Sequence, residues 1–591
     1  MSKKRFAAED FEKNNQPIII LDKAVKEIAQ GVVSASDQKT LILCIDGISM
    51  DKIRSMISGG KLPAFKHLID RGVSGYLRST IPPDSLPAWP SFTTGKNPAK
   101  HGITTYFKKV GEEETAVNAT MIDSRRLWDS FSDASLNSVV MNIPTTYPPR
   151  DIRGIMICDY LSPQGQVFTH PAGLTEALTK VGYFTELAGT KFFDYDLTRP
   201  EPFLYKIDKT RDAALSIIRN YPWDTFTLCF ISPDKAHHVM GLDGTAIDAV
   251  YARIDESLSQ ILKEVDRDRT DIFVISDHGA ANYSREFSLH SWLFGKGLLG
   301  LNRLQDQVAP DKSACARQTD HGQRGVLRSC CLNALGLAYR LRVSLNLPSI
   351  PFFHFPKAVL ESNAKNPCPF DWPRTRVYSL LPPTSNFLPV FINTLGDRPH
   401  GIVEKGEKYD RLKAMLLQEF SELIDPDTGN KVVKRIYDRE ELFSGRFLPE
   451  MPDIVVELEE EYIGFSGYID RNRIQRGPVF RKFDAPVVDH SINGVFIFSG
   501  PRAPRMSKTQ GISIVDVMPN VLYSRQLPIP ADIDGKVKMD IFTDAFVSSS
   551  VITTVSLAYK PASDREQRAR KHSPEDLERI NQELKRMGYV K

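Results

Sequence analysis

The feature that most restricts the fold is a set of short apolar runs that end in acids or histidines and are separated by helical patterns. Leu41-Ile42-Leu43-Cys44-Ile45 closes on Asp46, TFTLCFIS (225–232) leads into Pro233-Asp234, and DIFVIS (271–276) leads into Asp277-His278. Apolar runs of this length without polar alternation read as strands buried on both faces, as in parallel sheets. SVVMNIP (138–144), GIMICDY (154–160) and GVFIFSG (494–500) add further strands. Met50–Ser58, Pro63–Arg71, a segment near 124–134, Thr210–Arg219 and Thr245–Val265 carry helical periodicity. The alternation predicts an α/β sandwich, a central mostly parallel sheet with helices on both faces.

Open α/β sheets bind ligands outside the C-terminal ends of their strands. Asp46, Asp234, Asp277 and His278 all fall there, and Asp234 and His238 are spaced by one turn, on one face if that segment is helical. His490, in VVDHSINGVFIFSG (487–500), immediately precedes a further strand. Taken singly, each has an ordinary explanation: Asp46-Gly47 and His278-Gly279 are common turn pairs, and His490 could be a satisfied core residue. Taken together, carboxylate oxygens and imidazole nitrogens in one crevice suit zinc, with manganese or iron also possible.

The stretch STIPPDSLPAWPSFTTGKNPAKHGI (79–103) places Ser85 at a loop-to-helix junction. Pro82 and Pro83 forbid a helix before it, while Pro87 is tolerated in a first turn. Backbone N–H groups at such a helix start favour an anion. A capping role is the ordinary reading of this serine alone.

Length and composition set the wider bounds. With 591 residues, 41% hydrophobic and 25% charged, the chain can bury a large core. A net charge of +3 makes no case for nucleic acid or an anionic membrane as a bulk partner. The seven cysteines include no CxxC, which favours a reducing compartment. No apolar run reaches the ~18 residues of a membrane span, and the N-terminus lacks a signal-peptide pattern. The expectation is a cytoplasmic protein.

The expected organisation is an N-terminal arm and linker (1–39), a first core part (40–300), an insertion or cap (301–376), a second core part (377–545) and a C-terminal tail with a helix (546–591). In the arm, PIIILDKAVKEIAQGVV (17–33) reads as a strand-like run followed by helical spacing. In the tail, SPEDLERINQELKRMGYV (573–590) reads as a helix with Leu577, Ile580 and Leu584 on one face.

The order Asp, Ser, Asp-x-x-x-His, Asp-His, His resembles the alkaline phosphatase superfamily, in particular its type I phosphodiesterase/nucleotide pyrophosphatase family. The motifs are LILCIDG (41–47), IPPDSLPAWPSFTTGKNPAKHGI (81–103), SPDKAHH (232–238), ISDHGA (275–280) and DHSINGVFIFSG (489–500). The resemblance covers roughly residues 40–545. It implies two divalent ions, one held by Asp46, Ser85, Asp277 and His278 and the other by Asp234, His238 and His490. It implies Ser85 as nucleophile, a phosphoserine intermediate, and a small-molecule phosphodiester or nucleotide as substrate.

Two positions depart from the family. Thr104, Thr105 and Tyr106 follow HGI where relatives place a phosphate-binding asparagine, and His290 stands where asparagine is usual. Within the superfamily, a phosphomonoesterase, phosphonate hydrolase or sulfatase is the alternative. Sulfatase chemistry needs C/S-x-P-x-R, and Trp89 occupies the arginine position. A non-catalytic scaffold is the third reading, against which the intact ligand set speaks.

Overall fold

The computed structural model describes residues 16–110, 113–163, 165–183, 199–302, 369–379, 385–464 and 471–556, together with Leu577, Glu578 and Ile580. Most of the expected insertion at 301–376, and most of the expected helix at 573–590, lies outside these residues. Leu577, Glu578 and Ile580 are helical, and Ile580 is buried in the main core.

A ten-stranded, mostly parallel sheet organises the chain, flanked by helices. Its centre consists of Thr270–Ile275, Lys39–Ile45, Thr225–Phe230, Ser138–Met141 and Gly154–Ile157, neighbours in that order and all parallel. Every residue of Thr225–Phe230 and Thr270–Ile275 is buried, as is every residue of Lys39–Ile45 except Lys39. That is why these strands read as unbroken apolar runs. On one side the sheet turns antiparallel: Asn493–Ser499 pairs with Thr270–Ile275 and then with Gly72–Arg78. Phe273 stacks on Phe498 across this junction, with ring centroids 4.4 Å apart.

The flanking helices follow their sequence patterns. Met50–Ser58 is capped by Ser49, whose side chain accepts from the Lys52 N–H, and it buries Met50, Ile53 and Met56. Helix Pro63–Asp70 has no side-chain cap of its own. Asp255, from helix Thr245–Lys263, accepts from the N–H groups of Ala64 (3.1 Å) and Phe65 (2.9 Å) instead. A cap of this kind is worth about 1 kcal/mol and ties the two helices together.

Two expectations are corrected here. Gln16–Ile28 is helical throughout, so the strand-like Ile18-Ile19-Ile20 forms its first turns. Leu21 and Val25 are buried, with Ala24 and Ile28 beside them, and this packing outweighs the β-preference of the isoleucines. The helix expected at Thr210–Arg219 is twice as long, Glu201–Asn220, because Pro202 suits its first turn and Phe203 and Ile207 extend its buried face.

The chain after residue 376 builds a second, smaller sheet. Val377–Tyr378, Phe387–Ile392, Ile454–Leu458 and Val433–Asp438 form a four-stranded antiparallel sheet. Leu412, Leu416 and Phe420 of helix Glu407–Ser421 share a separate hydrophobic cluster with it. A three-stranded sheet of Tyr462–Gly464, Gly279–Phe287 and Phe480–Ser491 continues from the end of the central strand Thr270–Ile275. Among the described residues, no helix is long and apolar enough to cross a membrane.

His101 makes the fold acid-sensitive. It ends the short helix Pro98–His101, is fully buried, lies 3.0 Å (Nε2) from Ser91 Oγ and accepts from the Ile103 N–H at Nδ1. Burial, and then the charge of Arg126, push its pKa down to about 3. A folded pKa below the unfolded value of ~6.5 gives stability that is complete above pH ~6.5 and is lost as the pH falls towards 3. Between pH 7 and pH 5 the expected loss is about 2 kcal/mol. Denaturant unfolding at the two pH values tests this: His101→Gln should remove about that much of the difference, and an unchanged difference refutes the assignment.

Candidate active site

Strand register brings the first acids together. In the parallel pairings Ile45 lies opposite Phe230, and Cys44 opposite Ile275. Asp46 and Asp277 therefore emerge side by side at the same sheet end, and Asp234 follows from the strand on the other side. Helix Ser232–Met240 starts almost at once, with Pro233 in its first turn, and carries Asp234 and His238 one turn apart. Gly47 makes this junction possible. It has φ +66°, and a Cβ there would lie 2.6 Å from Asp234 Oδ1.

His490 precedes strand Asn493–Ser499, as the sequence implies, and itself lies near the end of strand Phe480–Ser491, opposite Ala280 of the antiparallel partner. The register lays its ring on that of His278, with centroids 3.8 Å apart and planes 25° apart. His490 Nδ1 donates to the Pro83 carbonyl (3.2 Å), which turns Nε2 inward. His278 Nδ1 is likewise engaged by the Gly279 carbonyl at 3.0 Å.

Ser85 is the first residue of helix Ser85–Thr94 and is buried; the cap is Asp84, whose side chain accepts from the Leu86 N–H at 3.1 Å. Ser85 Oγ lies 3.2 Å from Asp46 Oδ1 and 3.1 Å from His278 Nε2. His278 Nε2 is also 3.7 Å from Asp46 Oδ1 and 3.3 Å from Asp277 Oδ2. On the other side, Asp234 Oδ2 is 3.5 Å from His238 Nε2, and Asp234 Oδ1 is 3.6 Å from His490 Nε2. All seven residues expected from the sequence thus meet in one crevice.

The sequence reading missed residues around them. Asp489 adds an acid beside His238 and His490, with ligand atoms within 4.8 Å of one another; its only signal was its place next to His490 in the motif. Trp89, which broke the sulfatase pattern, donates its indole N–H to Asp46 Oδ2 at 3.4 Å. His290 takes no part: it is buried in the second core and engages the Ser379 carbonyl at 2.8 Å. One further expectation is corrected. The helix start offers few amides to an anion, because the Leu86 N–H is taken by Asp84, Pro87 has none, and the Ala88 N–H bonds the Asp84 carbonyl.

The electrostatics are those of a site built for cations. Burial, then repulsion from Asp277 and Asp234, hold the Asp46 carboxyl well above its usual range. Burial, then Asp234, push Asp277 up to about 8. Burial also opposes the charge on Asp234, yet His238, His490 and His278 overcome it and hold that carboxyl well below its usual range. Burial opposes the charge on His238 too, but Asp234 beside it raises its pKa to about 9. Burial and the neighbouring His278 keep His490 neutral.

The donor set fits divalent metal ions. Asp277 Oδ2 is buried without a hydrogen bond. His238 and His490 point Nε2 atoms at each other across 3.2 Å, a contact that only a proton or a cation reconciles. Asp46, Asp277 and His278 form one group of converging ligand atoms, and Asp234, His278 and His490 another. His278 reaches into both.

The model of the type I phosphodiesterase/nucleotide pyrophosphatase family matches residues 40–326. No curated protein matches the chain by sequence. Among solved structures, phosphonoacetate hydrolase from Sinorhizobium meliloti 1021 is similar with a TM-score of 0.50 at 15% identity, over 82% of this chain and 94% of that one. Murine ectonucleotide pyrophosphatase/phosphodiesterase 5 gives a TM-score of 0.46 at 13% identity, over 86% of this chain and 100% of that one. At these identities the likeness is one of fold. The family match spans Asp46, Ser85, Asp234, His238, Asp277 and His278, and over these residues the chain is similar to the type I phosphodiesterase/nucleotide pyrophosphatase family.

Proposed function

We propose that the chain hydrolyses phosphodiester or nucleotide pyrophosphate bonds of a small-molecule substrate, with Ser85 as nucleophile and two divalent ions, zinc foremost, as cofactors. The observation that carries this reading is the setting of Ser85 Oγ, 3.2 Å from Asp46 and 3.1 Å from His278 inside the cluster of acids and histidines. Asp46, Ser85, Asp277 and His278 would hold one ion and Asp234, His238 and His490 the other. When bound, such ions lower the serine pKa and neutralise charge on the departing oxygen.

The chain's own residues supply the rest. The turn at Pro82-Pro83 and the Asp84 cap fix Ser85 at the head of its helix, so its Oγ points into the crevice without rotamer search. Asp46 Oδ1 and His278 Nε2 are the acceptors within reach of its proton. Trp89 holds the far oxygen of Asp46, and the His278–His490 stack limits both rings to one orientation. Attack of Oγ on phosphorus forms the P–Oγ bond as the bond to the leaving alkoxide or phosphate breaks. Water then cleaves the P–Oγ bond, and two inversions give net retention.

Rates on aryl phosphodiester, aryl phosphomonoester and aryl sulfate, with and without chelator, test the reading. Diester turnover should dominate, fall to background with chelator and return on adding zinc. Preference for monoester or sulfate would replace the reading with another activity of the superfamily. No turnover and no bound metal would leave a scaffold.

A further inference from the structure

Lys235 breaks two local rules at once. It is 3% exposed, so its ammonium has left water, and it lies in the first turn of helix Ser232–Met240, where the helix dipole disfavours a cation. Its position between the ligand candidates Asp234 and His238 fixes where its side chain begins. The ammonium sits over the Tyr160 ring, 4.5 Å from the centroid. Its charge is felt at Asp46, where with His278 it opposes burial and acid repulsion. Tyr160 and Tyr106 are both buried in the same corner, and both also feel the charges of Asp46 and Asp84. Ser85 has little help from backbone amides, as the bonds of Leu86 and Ala88 show. A tetrahedral phosphoryl group on Ser85 carries more oxyanion charge than that helix start can meet. Lys235 brings a buried positive charge to this corner.

We infer that Lys235 binds a non-bridging oxygen of the phosphoryl group on Ser85, with Tyr160 as the platform that positions its ammonium. The role is that of a point charge. It deepens the hydrolase reading and rests on it. A fixed charge in a dry site is worth far more than one in water, because no solvent must reorganise as the oxyanion forms. It also favours anions with more charge on the non-bridging oxygens, so inorganic phosphate should bind this corner.

The test uses full-length, metal-reconstituted protein and inorganic phosphate, followed by calorimetry and by competitive inhibition of aryl phosphodiester turnover. Lys235→Met keeps the length of the side chain and removes the charge; Lys235→Arg restores the charge; Tyr160→Phe keeps the ring. Lys235→Met should bind phosphate at least about 10-fold more weakly and lose about 10²-fold in kcat/KM. Lys235→Arg should recover part of both, and Tyr160→Phe, which keeps the ring under the ammonium, should lose less of each than Lys235→Met. Metal content and the melting midpoint should match wild type in all three. Unchanged phosphate affinity in Lys235→Met overturns the assignment while the hydrolase reading stands. Loss of metal or fold in Lys235→Met, with none regained in Lys235→Arg, makes the lysine structural and equally overturns it. A wild type that neither turns over any ester nor binds phosphate removes both readings together.

Discussion

Ser85→Ala, reconstituted with zinc, is expected to lose aryl phosphodiester turnover by about 10³-fold or more. The hydroxyl is the one group at the helix head that can form a bond to phosphorus. Alanine keeps the helix start, since Asp84 rather than Ser85 provides the cap. Ser85 is also buried against Asp46 and His278, so the loss should come without unfolding. Metal content should fall modestly at most, because Asp46, Asp277 and His278 remain as ligands. Single-turnover kinetics with a chromogenic diester would measure the effect, and acid-quenched wild type should carry phosphate on Ser85. Turnover within about tenfold of wild type would assign the chemistry to another nucleophile and make Ser85 a binding group.

The second large effect concerns stability and reverses its sign with metal. Three buried carboxylates, Asp46, Asp234 and Asp277, crowd the end of the sheet, and Asp277 has one oxygen without a hydrogen bond. Without metal, burial and then Asp234 push the Asp277 pKa up to about 8, a cost against the unfolded chain, where it ionises freely; Asp277→Asn removes that cost, while the amide oxygen can still accept from the Gly47 N–H. A carboxyl whose folded pKa lies that far above its unfolded value costs on the order of a few kcal/mol at neutral pH. The metal-free variant should therefore melt above the metal-free wild type. Zinc at a thousandfold excess over its Kd stabilises a folded protein by about 4 kcal/mol. Wild type should gain that increment and the variant should gain much less, so the order of melting inverts. Equal zinc responses in the two proteins would remove Asp277 from the metal site. The inversion would also be a direct case of stability given up for a working site.

What could be read from the sequence follows from how strongly each residue's setting shapes its neighbours. Strands Lys39–Ile45, Thr225–Phe230 and Thr270–Ile275 are buried on both faces, so their runs are unbroken and their terminal acids stand out. Ser85 was legible because prolines on both sides leave few backbone options. Strand Phe480–Ser491 is different: it is an edge strand, largely exposed, with no apolar run to announce it. That is why the sequence shows only the strand after His490, Asn493–Ser499, and not the one that carries it, and why Asp489 beside it has no assignment. Ile18-Ile19-Ile20 misled in the opposite way, since β-branched residues suit strands until a helix face must be buried. Lys235 gave no periodic signal, and only its burial beside Asp46 and Tyr160 makes it unusual. The four-stranded sheet after residue 376 has ordinary strand patterns, and pattern alone does not say which sheet a strand joins.

The stacked pair His278–His490 has a consequence for how the molecule is made. Pro83 and His490, which hydrogen-bond in the finished crevice, are separated by 407 positions along the chain. During synthesis, the strands bearing Asp46, Asp234 and Asp277 emerge long before the edge strand that supplies the last imidazole. A nascent chain can therefore assemble the half of the crevice built from Asp46, Asp277 and His278, but the other half waits for the ribosome to pass residue 490. Because non-local closure of this kind is slow, the acids spend that interval with His238 and His278 beside them and without His490. On the proposed reading, the half of the site that takes His490 forms only after residue 490 has been made.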